Sequence, residues 1–463
     1  MHINKQRIFL IVLAFIASLG GFLFGYDTAV ISGTLSFVTQ QFDLSAGLEG
    51  WYVGSALIGS IIGVAFAGWL SDKYGRKMTL LLCGLLFSIS AIGCAISGGF
   101  SGLVIYRLIG GMGVGIASML SPLYISEISP PKIRGRLVAL YQLAIAIGIL
   151  CSYFVNAYLL QASSIPGYEQ SATLRLVFKE EVWRAMLGME AIPALSFFIL
   201  IIIIPKSPRW LVVKGKVEEA KGILRKIVGE DEATTEINEI RETLALESEK
   251  GSWKMILEPG IKMAVLIGVA LAILQQYTGI DSIIYYGPRI MEQAGFGIGE
   301  ALGGQVLIGI INVLFTLLAI WKIDHFGRRP IMIAGTIGML ISLTAIGFLF
   351  MLDKAEGLLL ISFIMVFIAC FAFSLGPVVW VILSEIYPTK IRGRAMSIAT
   401  MGAWIGMTTI GFIIPVSLDS IGPAYTFWIF ALFCLPTIYI GLKLVPETKG
   451  KTLEEIERHW LKY

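Results

Sequence analysis

The chain has 463 residues, and its 36 basic and 32 acidic side chains together make up only 15% of it. A soluble globular domain carries about 25% charged residues, whereas 56% of this chain is hydrophobic and its mean hydropathy is +0.80. This composition excludes a disordered chain, a nucleic-acid-binding protein and an ordinary cytosolic enzyme. The five cysteines lie in apolar runs and lack the spacing of a disulfide framework or a metal site.

Twelve apolar runs are long enough to cross a bilayer, which takes about 20 residues in a helix. They lie at 8–32, 50–70, 78–97, 103–124, 137–160, 184–204, 262–286, 303–322, 331–351, 358–384, 395–416 and 425–445. The first run is too long for a cleaved signal peptide and lacks an Ala-x-Ala ending, so we interpret it as a span. The pattern predicts an all-α membrane protein with twelve transmembrane helices.

A polar insert separates the sixth and seventh runs, because 22 of the 58 residues between 205 and 262 are charged. Its segments 215–228 and 235–249 mix apolar and charged residues at helical spacing, which predicts two short amphipathic helices. The predicted domains are an N-terminal six-helix bundle (1–204), a cytoplasmic helical linker (205–261), a C-terminal six-helix bundle (262–445) and a cytoplasmic tail (446–463).

The basic residues predict the orientation. Loops on the side of the termini and the insert hold 30 Lys and Arg residues, and the opposite loops hold five. Because cytoplasmic loops carry the excess of basic residues, both termini and the insert are expected in the cytoplasm.

Two charged motifs of the first half recur in the second half. The motif that begins at Asp72 returns 252 residues later, and the motif that begins at Glu127 returns 258 residues later. Parallel repeats of this kind predict two six-helix bundles that rock around a central site. We expect the repeated charges to form a cytoplasmic gate of ion pairs; the alternative is that they only fix topology and helix ends. The gate residues are Asp72, Gly75, Arg76, Glu127 and Arg134 in the first half, and Asp324, Gly327, Arg328, Glu385 and Arg392 in the second.

Four ionisable residues fall at membrane depth, where an unpaired charge costs several kcal/mol and a function is the default hypothesis. They are Asp27, Arg107, Glu190 and Asp281. If Arg107 moves away from Asp27, desolvation lets the carboxyl take up a proton, and its return favours release. This pair is therefore a candidate proton switch; the alternative is a static ion pair that holds two helices.

Nine motifs, in order, carry a resemblance to a known family over essentially the whole chain. They are FGYDTAVISG (24–33), GRK (75–77), RLIGGMGVG (107–115), SEISPPKIRGR (126–136), SPRW (207–210), QQYTGIDSIIYY (275–286), GRR (327–329), GPVVWVILSEIYPTKIRGR (376–394) and PETKG (446–450). The chain resembles the sugar porter branch of the major facilitator superfamily, most closely its bacterial proton-coupled xylose symporters and more distantly the animal facilitative glucose transporters.

The resemblance implies the major facilitator fold and a secondary transporter, not an enzyme, that imports a monosaccharide such as xylose or a hexose with a proton. It implies proton coupling through Asp27 and Arg107, with Glu190 in a supporting role, since facilitative relatives have Asn in place of the FGYD aspartate. No cofactor is expected, and the proton is the coupling ion. The expected partners are the sugar and the lipid bilayer, without nucleic acid, for a monomer in the bacterial inner membrane.

A sugar needs side chains that donate and accept hydrogen bonds, together with an aromatic face. Positions matching the family's sugar contacts are Phe24, Gln142, Gln275, Gln276, Asp281, Tyr285, Asn312, Gly376, Trp380 and Trp404. Buried amides also serve as packing contacts between helices, which is the alternative for any single glutamine. The glycines of RLIGGMGVG lie inside an apolar span without a preceding strand, so we expect close helix packing there, not a nucleotide loop.

Three positions depart from the family pattern. Asp281 replaces the usual Asn, Ala403 replaces a Gln or Asn, and Lys206 replaces the Glu of a PESPR motif. The first two leave the sugar and the proton stoichiometry open, and the third predicts a weaker charge network in the first half. A facilitative uniporter and a polyol or inositol symporter remain alternatives. A membrane nutrient sensor and a membrane-embedded enzyme are disfavoured, because the tail is short and no nucleophile and base can be assembled from the buried residues.

Overall fold

The computed structural model describes residues 5–164, 175–248, 255–256, 258–355, 357–388, 391–449 and 455–456, and it is built from helices. The helices of the first half and the insert are α1 (Lys5–Phe42), α2 (Ala46–Tyr74), α3 (Arg76–Ile96), α4 (Phe100–Ile128), α5 (Pro131–Ser163), α6 (Val182–Gly188), α7 (Ala191–Ile203), α8 (Pro208–Val213), α9 (Val217–Ile227) and α10 (Glu230–Ser248), with a π-helical turn at Leu176–Glu180. Those of the second half are α11 (Pro259–Tyr277), α12 (Ile280–Gln293), α13 (Ile298–Phe326), α14 (Arg328–Met351), α15 (Gly357–Phe373), α16 (Leu375–Ile386), α17 (Arg392–Ser420) and α18 (Gly422–Lys443).

In the described part of the chain, twelve helical stretches are long and apolar enough to span a membrane, which confirms the predicted number. Their outward surfaces carry many large apolar side chains, such as Phe66, Ile105 and Leu358, at 56%, 58% and 75% exposure. Exposed apolar area of this kind suits contact with lipid tails, whereas a soluble monomer rarely tolerates it.

Three of the twelve spans are broken in the middle. The sixth consists of α6 and α7, the seventh of α11 and α12, and the tenth of α15 and α16. The break in the seventh span lies at Gly279, whose φ of +86° is a left-handed conformation that suits glycine. The break in the tenth span lies at Ser374 (φ −118°, ψ −92°). Such breaks free backbone groups that need partners, so they are tolerated at membrane depth only where protein or water supplies them.

The chain forms two compact units. The first comprises Met1–Val30, Ile58–Ser152 and Tyr168–Glu249, and the second comprises Ile31–Leu57, Tyr153–Gly167 and Lys250–Tyr463. Thus α1, α2 and α5 each contribute one end to each unit. This division follows contacts and not sequence order, so the bundle boundaries expected from the sequence stay a prediction.

Close helix packing in the first unit depends on glycine. A Cβ added to Gly115 of α4 would lie 2.1 Å from the carbonyl oxygen of Ser60 in α2. A Cβ at Gly63 of α2 would lie 2.3 Å from the carbonyl oxygen of Met112. Since both obstacles are backbone atoms, neither helix can give way by a side-chain rotation. The glycines of RLIGGMGVG therefore serve helix packing, as the sequence predicts.

The insert contains both predicted amphipathic helices as α9 and α10, preceded by the short α8. Its small core consists of Leu211, Val212, Ala220, Leu224, Ala233 and Ile237. Ser207 caps α8 by accepting a hydrogen bond from the backbone N–H of Trp210 at 3.2 Å.

Replacement of Gly115 by Ala should destabilise the protein by about 1–3 kcal/mol, because the added methyl group forces α2 and α4 apart. The midpoint of thermal unfolding in detergent measures the effect. Gly303→Ala on α13 is the matched control, because a Cβ there meets nothing within 4 Å. Equal midpoints for the two variants would contradict the close approach of α2 and α4.

Candidate functional site

A buried ion pair lies between α1 and α4 in the first unit. The Arg107 guanidinium donates from Nη1 to Asp27 Oδ1 at 2.6 Å and to the Asp27 carbonyl oxygen at 3.4 Å. Both side chains are only 2–3% exposed. Gly110, one turn after Arg107, lets α4 pack closely on α3 beside this pair, since a Cβ there would lie 2.4 Å from Ser90 Oγ. The structure thus brings together the two residues that the sequence proposes as a switch.

Glu190 joins this pair. It lies between α6 and α7, it is 2% exposed, and its carboxyl is close enough to Asp27 and Arg107 to interact with both electrostatically. Two buried carboxylates so close together repel each other unless one of them carries a proton. The cluster therefore contains two carboxyls, one guanidinium and a place for one proton.

In the second unit, the breaks of the seventh and tenth spans are linked by one amide. Gln275, near the end of α11, donates from Nε2 to the carbonyl oxygen of Leu375 at 2.9 Å, with the Gly376 carbonyl at 3.5 Å. These carbonyls lie at the first turn of α16, immediately after the break at Ser374. Gln275 Oε1 is buried and has no hydrogen-bond partner among the described residues, so an acceptor is left for a ligand.

The other predicted sugar contacts lie in both units. In the second unit Gln276, Tyr285 and Trp404 are buried, at 6%, 1% and 5% exposure. Gly376 is also buried, and Asn312 and Trp380 are half-buried. In the first unit Phe24 of α1 and Gln142 of α5 are half-buried. Their roles as sugar contacts stay predictions.

Asp281 lies in the first turn of α12, two residues after the break at Gly279, and is 2% exposed. Its Oδ2 has no hydrogen-bond partner among the described residues. The neighbouring backbone is well bonded: Tyr153 donates to the Ile284 carbonyl at 3.2 Å, and Tyr286 to the Gly411 carbonyl at 2.6 Å. A carboxyl is thus held in a fixed, closely packed surrounding.

The gate residues of the first half form a network on the insert side. Arg76 binds Glu127 through two N–H groups, with Nε–Oε2 and Nη2–Oε1 distances of 2.9 Å, and reaches Asp72 at 3.3 Å. The Ser207 hydroxyl donates to Glu127 Oε2 at 2.5 Å. Trp210 donates from its indole to the Asp72 carbonyl at 3.2 Å. Bidentate guanidinium pairs are the strong class of ion pair.

The second half contains an equivalent arginine–glutamate pair, which different residues support. Arg328 binds Glu385 at 3.2 Å. Glu447 of the PETKG motif accepts the backbone N–H groups of Arg328 at 3.2 Å and of Arg329 at 3.1 Å. The side chain of Asp324, another predicted gate residue, lies outside the described residues.

The turn between the paired helices is the same in both halves. Gly75 has φ +91° and ψ +159°, and Gly327 has φ +89° and ψ +158°. A side chain would be strained at either position. What covers the turn differs, because the Trp210 ring packs over Gly75 whereas the Glu447 carboxylate faces Gly327.

The two remaining gate arginines occupy equivalent places. Arg134 Nε donates to the carbonyl oxygen of Ser129, and Arg392 Nε to that of Tyr387, both at 3.3 Å. Arg134 also faces Glu236 of the insert; burial and neighbouring acidic residues raise the pKa of Glu236, and Arg134 opposes this shift. The insert therefore adds a carboxyl beside this gate arginine.

Lys206, which departs from the family pattern, turns away from the gate and pairs with Glu219 at 3.0 Å, with both side chains more than 40% exposed. The Arg76–Glu127 pair is retained without it, and Ser207 supplies an additional hydrogen bond to Glu127.

Sequence reasoning missed an ion cluster within the second unit. Arg289 of α12 pairs with Glu49 in the first turn of α2 and, at 2.8 Å, with Asp419 near the end of α17. One turn along α12, Glu292 accepts a 2.6 Å hydrogen bond from Ser36 of α1. We call these five residues the outer cluster. Opposite charges at the ends of spans were the available signal, but no spacing in the sequence relates them.

The family model described as "Sugar (and other) transporter" matches residues 13–460. The arabinose-proton symporter of Bacillus subtilis is 40% identical over 454 residues, which cover 98% of this chain and 96% of that protein. The D-xylose-proton symporter of Escherichia coli is 38% identical over 489 residues, covering 99% of this chain and 96% of that protein. A structure of the xylose transporter XylE from E. coli, in a partially occluded inward-open conformation, matches with a TM-score of 0.83 at 38% identity, covering 96% of this chain and 100% of that one.

A double-mutant cycle on Arg76 and Glu127, with each residue replaced by Ala, should give a coupling energy of at least about 1.5 kcal/mol, because a charged bidentate pair is lost. Unfolding in a denaturing detergent measures it. The control is the exposed pair Arg225–Glu230 of the insert, with side chains 46% and 67% exposed. Exposed pairs contribute less than about 1 kcal/mol. Equal coupling in the two cycles would show that the gate pair has no special stability.

Proposed function

The chain belongs to the sugar transporter family, and on that premise we propose that it imports a monosaccharide together with a proton by alternating access. The substrate is a pentose such as xylose, or a hexose. The relatives named for xylose–proton and arabinose–proton symport, at 38–40% identity over nearly the whole chain, support this proposal. The protein acts as a monomer in the bacterial inner membrane, with both termini and the insert in the cytoplasm.

The observation that carries proton coupling is the cluster of Asp27, Arg107 and Glu190. If both carboxyls were ionised, one guanidinium would leave a buried negative charge, which is costly away from water. One bound proton neutralises the cluster, and the two carboxyls share it. Movement of Arg107 relative to Asp27 then changes which protonation state is stable, so that proton binding and conformation are coupled.

Gln275 is the central residue of the proposed sugar-binding site. Its Nε2 is fixed by the Leu375 carbonyl, which determines the orientation of the amide and leaves Oε1 to accept from a sugar hydroxyl. Gln276, whose side chain is buried, provides a second amide beside the same break. Trp404 and Trp380 supply apolar ring faces for the C–H surface of the sugar. Phe24 and Gln142 of the first unit are also proposed as sugar contacts.

The pairs Arg76–Glu127 and Arg328–Glu385 belong to the proposed cytoplasmic gate. Each joins the start of one helix to the end of another within its own unit: α3 to α4, and α14 to α16. Each pair therefore holds two helix ends of its own unit together.

Asp27→Asn should sharply reduce sugar accumulation against a gradient but preserve sugar exchange, because the variant retains the sugar contacts and lacks the titrating carboxyl of this cluster. Uptake driven by a pH gradient and counterflow without a gradient, both in proteoliposomes, measure the two activities. Asp43→Asn is the matched control, since Asp43 is exposed just beyond the end of the same helix and its φ of +47° suits Asn. Full accumulation by Asp27→Asn would refute the proton assignment, and sugar entry without alkalinisation of the medium by the unmodified protein would indicate a uniporter.

Gln275→Ala should weaken sugar binding at least about tenfold, because it removes a buried acceptor and frees the Leu375 carbonyl. Calorimetric titration with xylose, arabinose, glucose and galactose measures the affinity and ranks the sugars. The control is Gln305→Ala. It removes another buried amide, whose Nε2 donates to the carbonyl oxygen of Ile283 in α12 at 3.0 Å. The control should lose stability but keep its sugar affinity, and an unchanged affinity in Gln275→Ala would exclude Gln275 from the site.

A further inference from the structure

Four acidic residues are buried among the described residues, and they differ in how their charge is compensated. They are Asp27, Glu49, Glu190 and Asp281, each at most 4% exposed. Asp27 is paired with Arg107, and Glu49 with Arg289. Glu190 contacts Asp27 and lies within the field of Arg107. Three of the four therefore belong to clusters that contain a guanidinium.

Asp281 is the exception within the described part of the chain. The structure shows no ion pair to it, and its Oδ2 has no hydrogen-bond partner. The helices α11, α13, α15 and α17 pack against α12, and α1, α2 and α5 contact it through Ser36, Glu49 and Tyr153. Among the described residues, the charged side chains of these helices that contact α12 are Glu49 and Asp419, and both are paired with Arg289 and not with Asp281. The titratable groups around it are the phenols of Tyr153 on α5 and of Tyr285 and Tyr286 on its own helix.

Such a carboxyl is suited to hold a proton reversibly. An ionised carboxylate without a cation is costly to bury, which favours the neutral acid in this conformation. The Asp281 carboxyl can still ionise, because it lies in the first turn of α12. The partial positive charge of a helix N-terminus stabilises an anion there. The same residue can therefore alternate between the two forms when its access to water changes.

The structure also supplies a reason for that change. Asp281 follows the break at Gly279, and α12 is fastened at its other end by the outer cluster through Arg289 and Glu292. Separation of the outer cluster, with release of the hydrogen bonds from Tyr153 to the Ile284 carbonyl and from Tyr286 to the Gly411 carbonyl, would free α12 to pivot at Gly279. The Asp281 carboxylate would then meet water, take up a proton to become the neutral acid, and be buried again when the cluster re-forms.

We propose that Asp281 is a second proton-binding site of this transporter, so that each sugar crosses the membrane with two protons. One proton is held by Asp27 and Glu190 in the first unit, and the other by Asp281 in the second. The inference rests on the proposed function, because it concerns the number of protons that accompany the sugar. It also gives a role to the aspartate that departs from the family pattern.

The test is the proton-to-sugar ratio, measured as the pH gradient that stops net sugar flux. Proteoliposomes with the membrane potential clamped at zero are loaded with xylose at a tenfold gradient, and the balancing pH gradient is found. A two-proton symporter balances at about half a pH unit and a one-proton symporter at about one unit. We expect about half a unit for the unmodified protein and for Asp281→Glu, and about one unit for Asp281→Asn.

A balance at one pH unit in the unmodified protein, or at half a unit in Asp281→Asn, would overturn the proposal. Neither result would contradict sugar–proton symport itself. That proposal is contradicted only if no pH gradient stops the net sugar flux. If Asp281→Asn is inactive in transport, calorimetry of xylose binding in buffers of different ionisation enthalpy decides. Binding linked to the same number of protons in this variant and in the unmodified protein would then refute the assignment.

Discussion

A charge placed in a membrane-spanning helix must be compensated by a partner on another helix, and this constraint organises the molecule. Arg107 joins α4 to α1, and Arg289 joins α12 to α2 and α17. Arg76 and Arg328 do the same at the insert side of each half. Since the surrounding packing is apolar and largely non-directional, the guanidinium groups supply the specific contacts between helices. The glycines of α2 and α4 add a different kind of specific contact, because they let those two backbones approach closely.

Much of the fold could be predicted from the sequence because the signals are local. Twelve apolar runs, a charged insert and two motif repeats depend only on neighbouring residues, and the structure contains twelve spans, helices in the insert and equivalent hydrogen bonds at Arg134 and Arg392. The breaks of the seventh and tenth spans were not predicted. Their stability depends on contacts such as Gln275 with the Leu375 carbonyl, which joins residues 100 positions apart.

The candidate site could be predicted in part for the same reason. A buried aspartate and a buried arginine are visible in the sequence, and their pairing follows from the cost of leaving either alone. Glu190 is far from Asp27 in the sequence, so no local signal predicts that the two carboxyls approach each other. The outer cluster depends on how three helix ends converge, and the partition of α1, α2 and α5 between two compact units depends on long-range packing.

The equal turns at Gly75 and Gly327 have supports of different physical kinds. The Trp210 ring covers the turn at Gly75 by dispersion and by excluding water, and dissolved ions hardly alter either effect. The Glu447 carboxylate holds the turn at Gly327 by its charge at the start of a helix. Electrostatic attraction between exposed groups is screened over about 10 Å at 0.1 M salt. The two repeats therefore share one turn shape but differ in what holds it, so the support at Gly327 is the more sensitive of the two to ionic strength.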